Sequence, residues 1–484
     1  MHFLFWIYVF LLPFFSSPYL YSAFRSWSTS YSLVPMILLL GLLFLRSCCY
    51  GKFKLATPHG TQQTTVFFGT LQFYSIFVTF LASLVLEFYG FRYEDAYRGP
   101  AWNCVKEVVR ATLTFLAFYL VVTHVKTERD VLRFLRVVHL SLAMLIVYGY
   151  CQMLSIILPD SIFHSMLETI TPFLDQGWHG EKRFFPYADL YKRVNLLTPE
   201  ASTAAQILEV YFLPLLLASI LSDVSAWPRR IFGVKIETFL LFFTLTLIIP
   251  IFSSIGFYVA AMMLVVSLFF SLSNKRAFST LCNTVFLSIG VALITLLALD
   301  FFEGAMFFVT KIYDLDVGST NTRYAFWIAS FDLFLHNPWG VGTNNNNLLM
   351  AQYVPDWAQS NPEIVHSIAN ENLPTLNLWS DVLSSIGLVG LIMFMMFFIS
   401  LWRNNAKTHL VSAGNFNRYA FLLFLLAFFM HGFNTSSTTF LWLWSICGFY
   451  AAIGSLHPMK VKYMAPGTKI WHSQRGSGNT GQFP

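Results

Sequence analysis

Long, continuous apolar runs constrain the fold of this chain more than any other feature. A run of about 17–25 apolar residues can cross a bilayer as an α-helix, whereas the strands of an outer-membrane barrel alternate over about ten residues. Charged residues make up only 11% of the 484 residues, too few to cover a soluble protein of this size. The sequence therefore predicts an all-α polytopic membrane protein with about 12 transmembrane helices. The predicted spans lie near residues 3–20, 32–46, 66–89, 107–124, 134–158, 202–222, 236–252, 253–272, 279–301, 378–401, 418–433 and 437–455.

The Lys and Arg residues are concentrated in short loops on one side of these spans, whereas the longer loops on the other side hold most of the Asp and Glu residues. By the positive-inside rule, both termini face the cytoplasm and the long loops lie outside. The formal net charge of +6 reflects this orientation, because no basic run or basic amphipathic face indicates nucleic-acid binding. The first apolar stretch has no positive region before it, so we expect a retained first span rather than a cleaved signal peptide.

The six cysteines are scattered, with no CxxC spacing that would hold a metal ion or a redox pair. We therefore expect neither a disulfide framework nor a zinc site. The residues are Cys48, Cys49, Cys104, Cys151, Cys282 and Cys447.

Two outer segments, residues 159–200 and 303–376, are much longer than the connections of about 2–8 residues that are usual in helix bundles. Both are rich in Trp, Tyr, Asn and Pro, which suits an ordered cover that binds a ligand with many hydroxyl groups. We expect residues 1–466 to form a single transmembrane bundle under these two loops, with short interfacial helices in them. The polar, Gly-rich segment 467–484 is predicted to be a disordered cytoplasmic tail. The absence of an internal repeat argues against a transporter built from paired halves.

A permanent cation precedes the sixth predicted span, where Arg193 lies seven residues ahead of Glu200. Thr198 and Pro199 would start the helix as its N-cap and its first residue, and Glu200 would favour the positive end of the helix dipole. This explanation accounts for Glu200 but not for Arg193. Arg193 either contacts lipid headgroups or binds an anionic ligand.

A second motif runs from residue 319 to residue 346. Arg323 leads an amphipathic stretch that ends at Asn337-Pro338 and a Gly340-Val341-Gly342 turn. The stretch predicts a short helix at the membrane surface, in which Arg323 either snorkels to the headgroups or binds a ligand. No strand precedes the GxG turn, so it does not indicate a dinucleotide site. The predicted apolar face consists of Ala325, Trp327, Ile328, Phe331 and Phe334.

Asn377 and Asp381 enter the tenth predicted span about one helical turn apart. A carboxylate costs about 2.5–3.5 kcal/mol at the bilayer centre, so Asp381 is expected to face a cavity or to pair with Arg or backbone groups. His366 lies in the preceding outer loop, where a lone histidine is more often solvated than catalytic. Within the other spans, Arg110 and Glu209 are candidates for an ion pair inside the bundle, either as a structural pair or as part of a path through it. The remaining intramembrane polar groups are His139 and His431.

Together these motifs resemble the O-antigen polymerase and O-antigen ligase superfamily of bacterial membrane glycosyltransferases. The resemblance covers the second half of the chain, from Arg193 and TPEAS through two closely linked spans, S-x-x-x-R at Arg323 and the NPWGVG turn, to N-L-W-x-x-x-L-x-x-x-G-L-V-G-L starting at Asn377. Ligases carry a His immediately before that Asn, whereas this chain has Leu376, which favours the polymerase branch. The catalytic base therefore stays open among His366, Glu371, Asp381 and Glu200.

The resemblance implies a GT-C-like fold and a donor in which an oligosaccharide is joined to undecaprenyl pyrophosphate, at the periplasmic face of the bacterial inner membrane. Arg193 and Arg323 match the family's pyrophosphate-binding arginines. Asn377, Gly340 and Gly342 are expected to contribute to the substrate-binding site.

The implied reaction inverts the anomeric centre of the transferred sugar. Positive charge for the pyrophosphate comes from the arginines, so we expect no metal ion and no other cofactor. The pair Asp314 and Asp316 would be the exception if a metal were needed.

Three functions compete for this chain. A polymerase would use undecaprenyl-pyrophosphate-linked oligosaccharide as donor and acceptor in lipopolysaccharide biosynthesis, with a flippase and a chain-length regulator as partner proteins. A ligase would instead transfer the finished glycan to a lipid A core or to protein. A flippase of lipid-linked sugars is the third possibility, and the large outer loops argue against it.

Overall fold

Helices form nearly all of the regular structure in the computed structural model, which describes residues 2–14, 30–50, 60–90, 99–158, 160–174, 194–198, 201–227, 230–231, 233–251, 253–298, 319–369, 373–407, 415–434 and 440–456. In chain order the helices are α1 (His2–Leu11), α2 (Leu33–Tyr50), α3 (Gln62–Phe88), α4 (Pro100–His124), α5 (Glu128–Ile157), α6 (Ile162–Leu174), α7 (Ala201–Leu221), α8 (Ile236–Ile251), α9 (Ser254–Ser271), α10 (Lys275–Ala298), α11 (Ser319–His336), α12 (Asn346–Leu349), α13 (Pro362–Ala369), α14 (Leu378–Lys407), α15 (Phe416–Gly432) and α16 (Leu441–Gly454). Two 3₁₀ turns, Met350–Tyr353 and Asp356–Ala358, lie between α12 and α13. A two-residue hairpin before α8 pairs β1 (Arg230–Ile231) antiparallel with β2 (Val234–Lys235).

Each predicted span falls on one of these helices. In the described part of the chain, six helices are long and apolar enough to cross a membrane, namely α3, α5, α7, α9, α10 and α14. Five further predicted spans fall on the shorter apolar helices α1, α2, α8, α15 and α16. The remaining span falls on α4, whose first turns carry the polar residues Asn103 and Lys106. The chain is therefore a polytopic all-α membrane protein, as the sequence predicted.

The helix α7 lies at the centre of the bundle, since its apolar window is buried along its whole length. It packs against α8, α9 and α15, and a second fully buried helix, α16, packs against α4 and α14. Large side chains of α16, such as Trp442 and Tyr450, fill the main apolar core. The bundle thus surrounds two central helices with elements that are half-buried and half-exposed to lipid.

A second, smaller core lies at one end of the bundle, where α3 ends and α4 and α14 begin. Following the charge-based orientation, we call this the outer end. The helices α11, α12 and α13 and the two 3₁₀ turns enclose this core and together form what we call the outer subdomain. Its buried residues are Ala325, Phe326, Ala329, Leu333, Val341, Met350, Val354, Ala358, Ile364 and Leu373.

Candidate active site

The helix α14 is interrupted at Gly387, whose backbone angles of φ 70° and ψ −172° are not helical. The turn at residues 338–342, which follows α11, lies in this interruption. Val341 N–H donates to the carbonyl of Ser384 (2.9 Å), Gly342 N–H donates to that of Ser385 (2.8 Å), and Leu388 N–H donates to that of Pro338 (3.0 Å). A helix broken within a membrane must have its backbone groups satisfied by protein. The turn is therefore a re-entrant segment that completes α14.

The close approach of the two backbones requires glycine on both sides. Gly340 has φ +86°, and a Cβ atom there would lie 2.5 Å from the carbonyl oxygen of Ser385. A Cβ atom on Gly387 would lie 2.4 Å from the carbonyl carbon of Trp339. Gly342, also at φ +86°, packs against the backbone of Thr79 on α3. The predicted GxG turn therefore joins residues 338–342 to the break in α14. A substrate-binding role for Gly340 and Gly342 stays a prediction.

The helix α11 packs against α14 through its small residues. The hydroxyl of Ser330 donates to the carbonyl of Ser380 (3.0 Å) and to the hydroxyl of Ser384 (3.1 Å), so α11 runs alongside the first turns of α14 toward the Gly387 break. Phe331, one of the residues of the predicted apolar face, is 47% exposed, as the apolar face of a helix at the membrane surface would be. Small residues allow α11 to approach α14 closely, whereas the bulkier face stays outside. The buried residues of α11 include Ala325, Phe326, Ala329, Ser330 and Leu333.

A run of asparagines after the turn ties the re-entrant segment to three helices. Asn345 accepts a hydrogen bond from the Asn103 amide on α4 (3.0 Å) and donates to Ser83 on α3 (3.3 Å). Asn346 donates to the Asp381 carboxylate on α14 (2.8 Å). The sequence analysis missed these roles, although four consecutive asparagines starting two residues after Gly342 were the available signal.

Buried charges lie directly beneath the re-entrant segment. Arg110 on α4 binds Glu107 through two N–H groups, with its Nε 2.6 Å from Oε2, and Glu107 is fully buried. Ser75 on α3 donates to Glu107 Oε1 (2.5 Å). Arg110 and Asp381 attract each other electrostatically and line the same cavity, whose volume including its open mouth is about 420 Å³. The cavity is lined by Leu71, Gln72, Ser75, Arg110, Thr343, Asp381, Val382, Ser385, Ile386, Phe394 and Trp444.

The predicted ion pair between Arg110 and Glu209 is wrong. Arg110 pairs with Glu107 because residues three apart lie on one face of a helix. Glu209 instead contacts His431 on α15, with 2.7 Å between Oε2 and Nε2, and both side chains are fully buried. A one-turn π-helical segment, Ile207–Phe212, carries Glu209 within α7, and such segments often occur at functional sites. His139 lies at the inner end of the bundle and accepts a hydrogen bond from Trp227 Nε1 (3.2 Å).

Arg323 and His366 lie on neighbouring helices of the outer subdomain. The Arg323 guanidinium on α11 donates to the Asn434 side chain that follows α15. The adjacent Thr322 donates to Glu363 Oε2 on α13 (2.7 Å). His366 is exposed and lies one turn after Glu363 on the same helix. The hydrogen bond between Thr322 and Glu363 therefore joins the two helices that carry Arg323 and His366, which the sequence selected independently.

Asn377 and Asp381 have defined partners at the start of α14. The Asn377 side-chain oxygen accepts from the backbone N–H groups of Trp379 (2.8 Å) and Ser380 (3.1 Å), which makes it the N-cap of the helix. Asp381 accepts from Asn346 and from Ser385 (3.2 Å). A substrate-binding role for Asn377 stays a prediction beside this structural one.

Asn377→Ala is expected to destabilise the protein by about 1 kcal/mol, because two backbone N–H groups at the start of α14 lose their acceptor. Asn377→Asp keeps a capping oxygen and serves as the matched control. The melting temperatures of the purified proteins in one detergent check this. Equal melting temperatures for Asn377→Ala and the wild type would show that the cap contributes nothing to stability.

Several predicted site residues lie outside the described residues: Arg193, Pro199, Glu200, Glu371, Asp314 and Asp316. Beside them, Val194 is fully buried and its N–H donates to the carbonyl of Pro250 at the end of α8 (3.0 Å). Thr198 is buried, and its hydroxyl donates to the carbonyl of Asn195 (2.7 Å) just before α7. The segment next to Arg193 is therefore anchored at the outer end.

Residues 239–395 match the family model described as O-antigen ligase. The matched region starts in α8, includes α11 and the re-entrant turn, and ends within α14. The match supports the predicted resemblance to the O-antigen ligase and polymerase superfamily, and it does not separate the two branches. No curated protein matches the chain significantly. The match supports a role in the assembly of O-antigen or a related surface polysaccharide.

Proposed function

We propose that this chain is an inverting glycosyltransferase that polymerises undecaprenyl-pyrophosphate-linked oligosaccharide repeat units at the periplasmic face of the bacterial inner membrane. The observation that carries the proposal is the hydrogen bond between Thr322 and Glu363. It joins the helix that carries Arg323 to the helix that carries His366, within the region of the family match. An anion-binding residue and a proton acceptor are the two groups that this reaction needs.

Arg323 is proposed to bind the pyrophosphate of the donor. As the glycosidic bond breaks, negative charge grows on the pyrophosphate, and a fixed cation directed at it lowers the barrier. A planar guanidinium can bind phosphate oxygens in bidentate geometry, which an ammonium group cannot do. The contact with Asn434 orients the guanidinium. Arg193, which precedes the anchored residue Val194, is proposed as the second cation, so the reaction is proposed to need no metal ion.

His366 is proposed as the general base. The acceptor hydroxyl attacks the anomeric carbon on the face opposite the leaving group, a new C–O bond forms, and undecaprenyl pyrophosphate leaves with the electrons of the old bond. The imidazole takes the hydroxyl proton. Asp381 is less suited, because Asn346 and Ser385 already donate to it beneath the re-entrant turn. Glu371 and Glu200 are the remaining alternatives.

The polymerase is preferred over a ligase because Leu376 stands where ligases carry a histidine. Leu376 has φ 49°, and Asn377 after it caps α14. A histidine is therefore missing at the point where the outer subdomain meets α14. The ligase is the second candidate because the matched family is described as O-antigen ligase.

Deletion of the gene in its own host, followed by gel analysis of the surface polysaccharide, distinguishes the functions. A polymerase predicts a single-repeat band in place of the ladder. A ligase predicts bare core with polymer left on the lipid carrier. Loss of all surface glycan, with single repeats trapped on the inner leaflet, would indicate a flippase and contradict the proposal.

Arg323→Ala and His366→Ala are each expected to lower the polymerisation rate by about 10²–10³-fold, because one removes charge stabilisation and the other the proton acceptor. Arg323→Lys is expected to recover little, since it keeps the charge but not the planar geometry. Rates are measured with purified protein and lipid-linked repeat units extracted from the deletion strain. Arg418→Ala, at the exposed inner start of α15, is the matched control and is expected to behave as wild type. A full ladder from normally expressed Arg323→Ala would refute the pyrophosphate site.

A further inference from the structure

Two exposed aromatic side chains stack on each other beside Arg323. The rings of Tyr324 on α11 and Trp357 in the 3₁₀ turn Asp356–Ala358 have centroids 6.1 Å apart and planes 30° apart. Tyr324 is 55% exposed and Trp357 is 50% exposed. About half of each side chain therefore stays exposed, and we call the two rings the aromatic platform.

The surroundings of Trp357 are polar, whereas Tyr324 shares its face of α11 with the exposed Phe331 and Leu335. Trp357 lies among the exposed residues Gln352, Asp356 and Gln359, and the Gln359 amide donates to the Asp356 carboxylate (3.2 Å). The platform therefore has a polar edge at Trp357.

We propose that Tyr324 and Trp357 bind a pyranose ring of the lipid-linked glycan. The faces of aromatic rings carry negative charge density, which attracts the weakly positive C–H bonds on one face of a sugar ring. Carboxylate and amide groups beside the rings, as in Asp356 and Gln359, are suited to the sugar hydroxyls. Exposed aromatic surface flanked by such groups is suited to a polyhydroxylated ring.

The order of the groups in the substrate matches the position of the platform beside Arg323, and this step rests on the proposed function. In the donor, the first sugar is bonded directly to the pyrophosphate. Tyr324 directly follows Arg323, and Thr322 ties the same turn of α11 to α13. A pyrophosphate held at Arg323 therefore places the sugars next to it within reach of the platform.

The test separates contacts with the sugar part of the substrate from contacts with its lipid pyrophosphate part. Trp357→Ala and Tyr324→Ala are expected to raise the KM for extracted lipid-linked repeat units by about tenfold, with a smaller change in kcat. Inhibition by undecaprenyl pyrophosphate without a glycan is expected to be unchanged, because this probe lacks a sugar. In Arg323→Ala the same inhibition is expected to weaken.

Conservative variants separate stacking from general hydrophobic contact. Trp357→Phe keeps an aromatic face and is expected to restore most of the KM, whereas Trp357→Leu keeps apolar surface only and is expected to behave like Trp357→Ala. Trp102→Leu, which changes another exposed tryptophan at the outer end, is the matched control and is expected to leave KM unchanged.

Three results would overturn the platform. An unchanged KM in both alanine variants would show that the rings do not contact the substrate. Equal weakening of inhibition by undecaprenyl pyrophosphate, or full rescue by Trp357→Leu, would assign the rings to a lipid headgroup. Failure of the proposed function is distinguishable, because it appears as unchanged polymerisation and unchanged inhibition in Arg323→Ala.

Discussion

Gly387→Ala is expected to leave little or no folded protein in the membrane. The backbone at Gly387 adopts φ 70° and ψ −172°, a region that residues with a Cβ atom essentially do not occupy. The added methyl group would also lie 2.4–2.6 Å from backbone atoms of Pro338 and Trp339, which cannot rotate away. Separating the two segments would break three backbone hydrogen bonds that bridge the helix break. A Cβ atom on Gly340 would clash with the backbone of α14 in the same way, so Gly340→Ala is expected to have the same effect.

The amount of monodisperse protein after extraction and its melting temperature measure this effect. Gly290→Ala in α10 is the matched control, because a Cβ atom there has no heavy atom within 4 Å outside its own helix. That substitution is expected to be neutral or to stabilise by up to about 1 kcal/mol through helix propensity. A normal yield and melting temperature for Gly387→Ala would contradict the re-entrant turn described above.

Glu107→Leu is expected to destabilise the protein by about 3–5 kcal/mol, because it leaves the Arg110 guanidinium buried without a partner. Glu107 is fully buried, the Arg110 side chain is only 10% exposed, and the two form a bidentate pair. Ser75 loses its acceptor in the same variant. The double variant Glu107→Leu/Arg110→Leu removes both charges and is expected to recover most of the lost stability.

Unfolding of the purified protein in mixed micelles by increasing SDS measures both variants. Asp223→Ala is the matched control, because it breaks the pair between Lys235 and an Asp223 side chain that is 59% exposed. Such an exposed pair contributes no more than about 1 kcal/mol. Equal losses of stability in the single and the double variants would show that Glu107 does not act by compensating the charge of Arg110.

The candidate site divides into residues that sequence patterns identify and residues that they do not. Arg323, His366 and Asp381 each stand out in their own segment, because a charged or titratable group is rare in an apolar sequence. The GxG turn was also predicted correctly as a turn. The partners of Arg323 and Asp381 were not predictable, since Asn434 lies 111 residues from Arg323 and Asn346 lies 35 residues from Asp381.

The sequence by itself determined the helices and the membrane class. Whether a segment can enter lipid depends on its own length and its own side chains, so each predicted span falls on a helix. Only the tertiary structure decided that Glu209 pairs with His431, that Asn346 binds Asp381, and that residues 338–342 complete a broken helix. Partners for buried charges and unsatisfied backbone groups come from whichever segment packs nearby, and local sequence does not specify that neighbour.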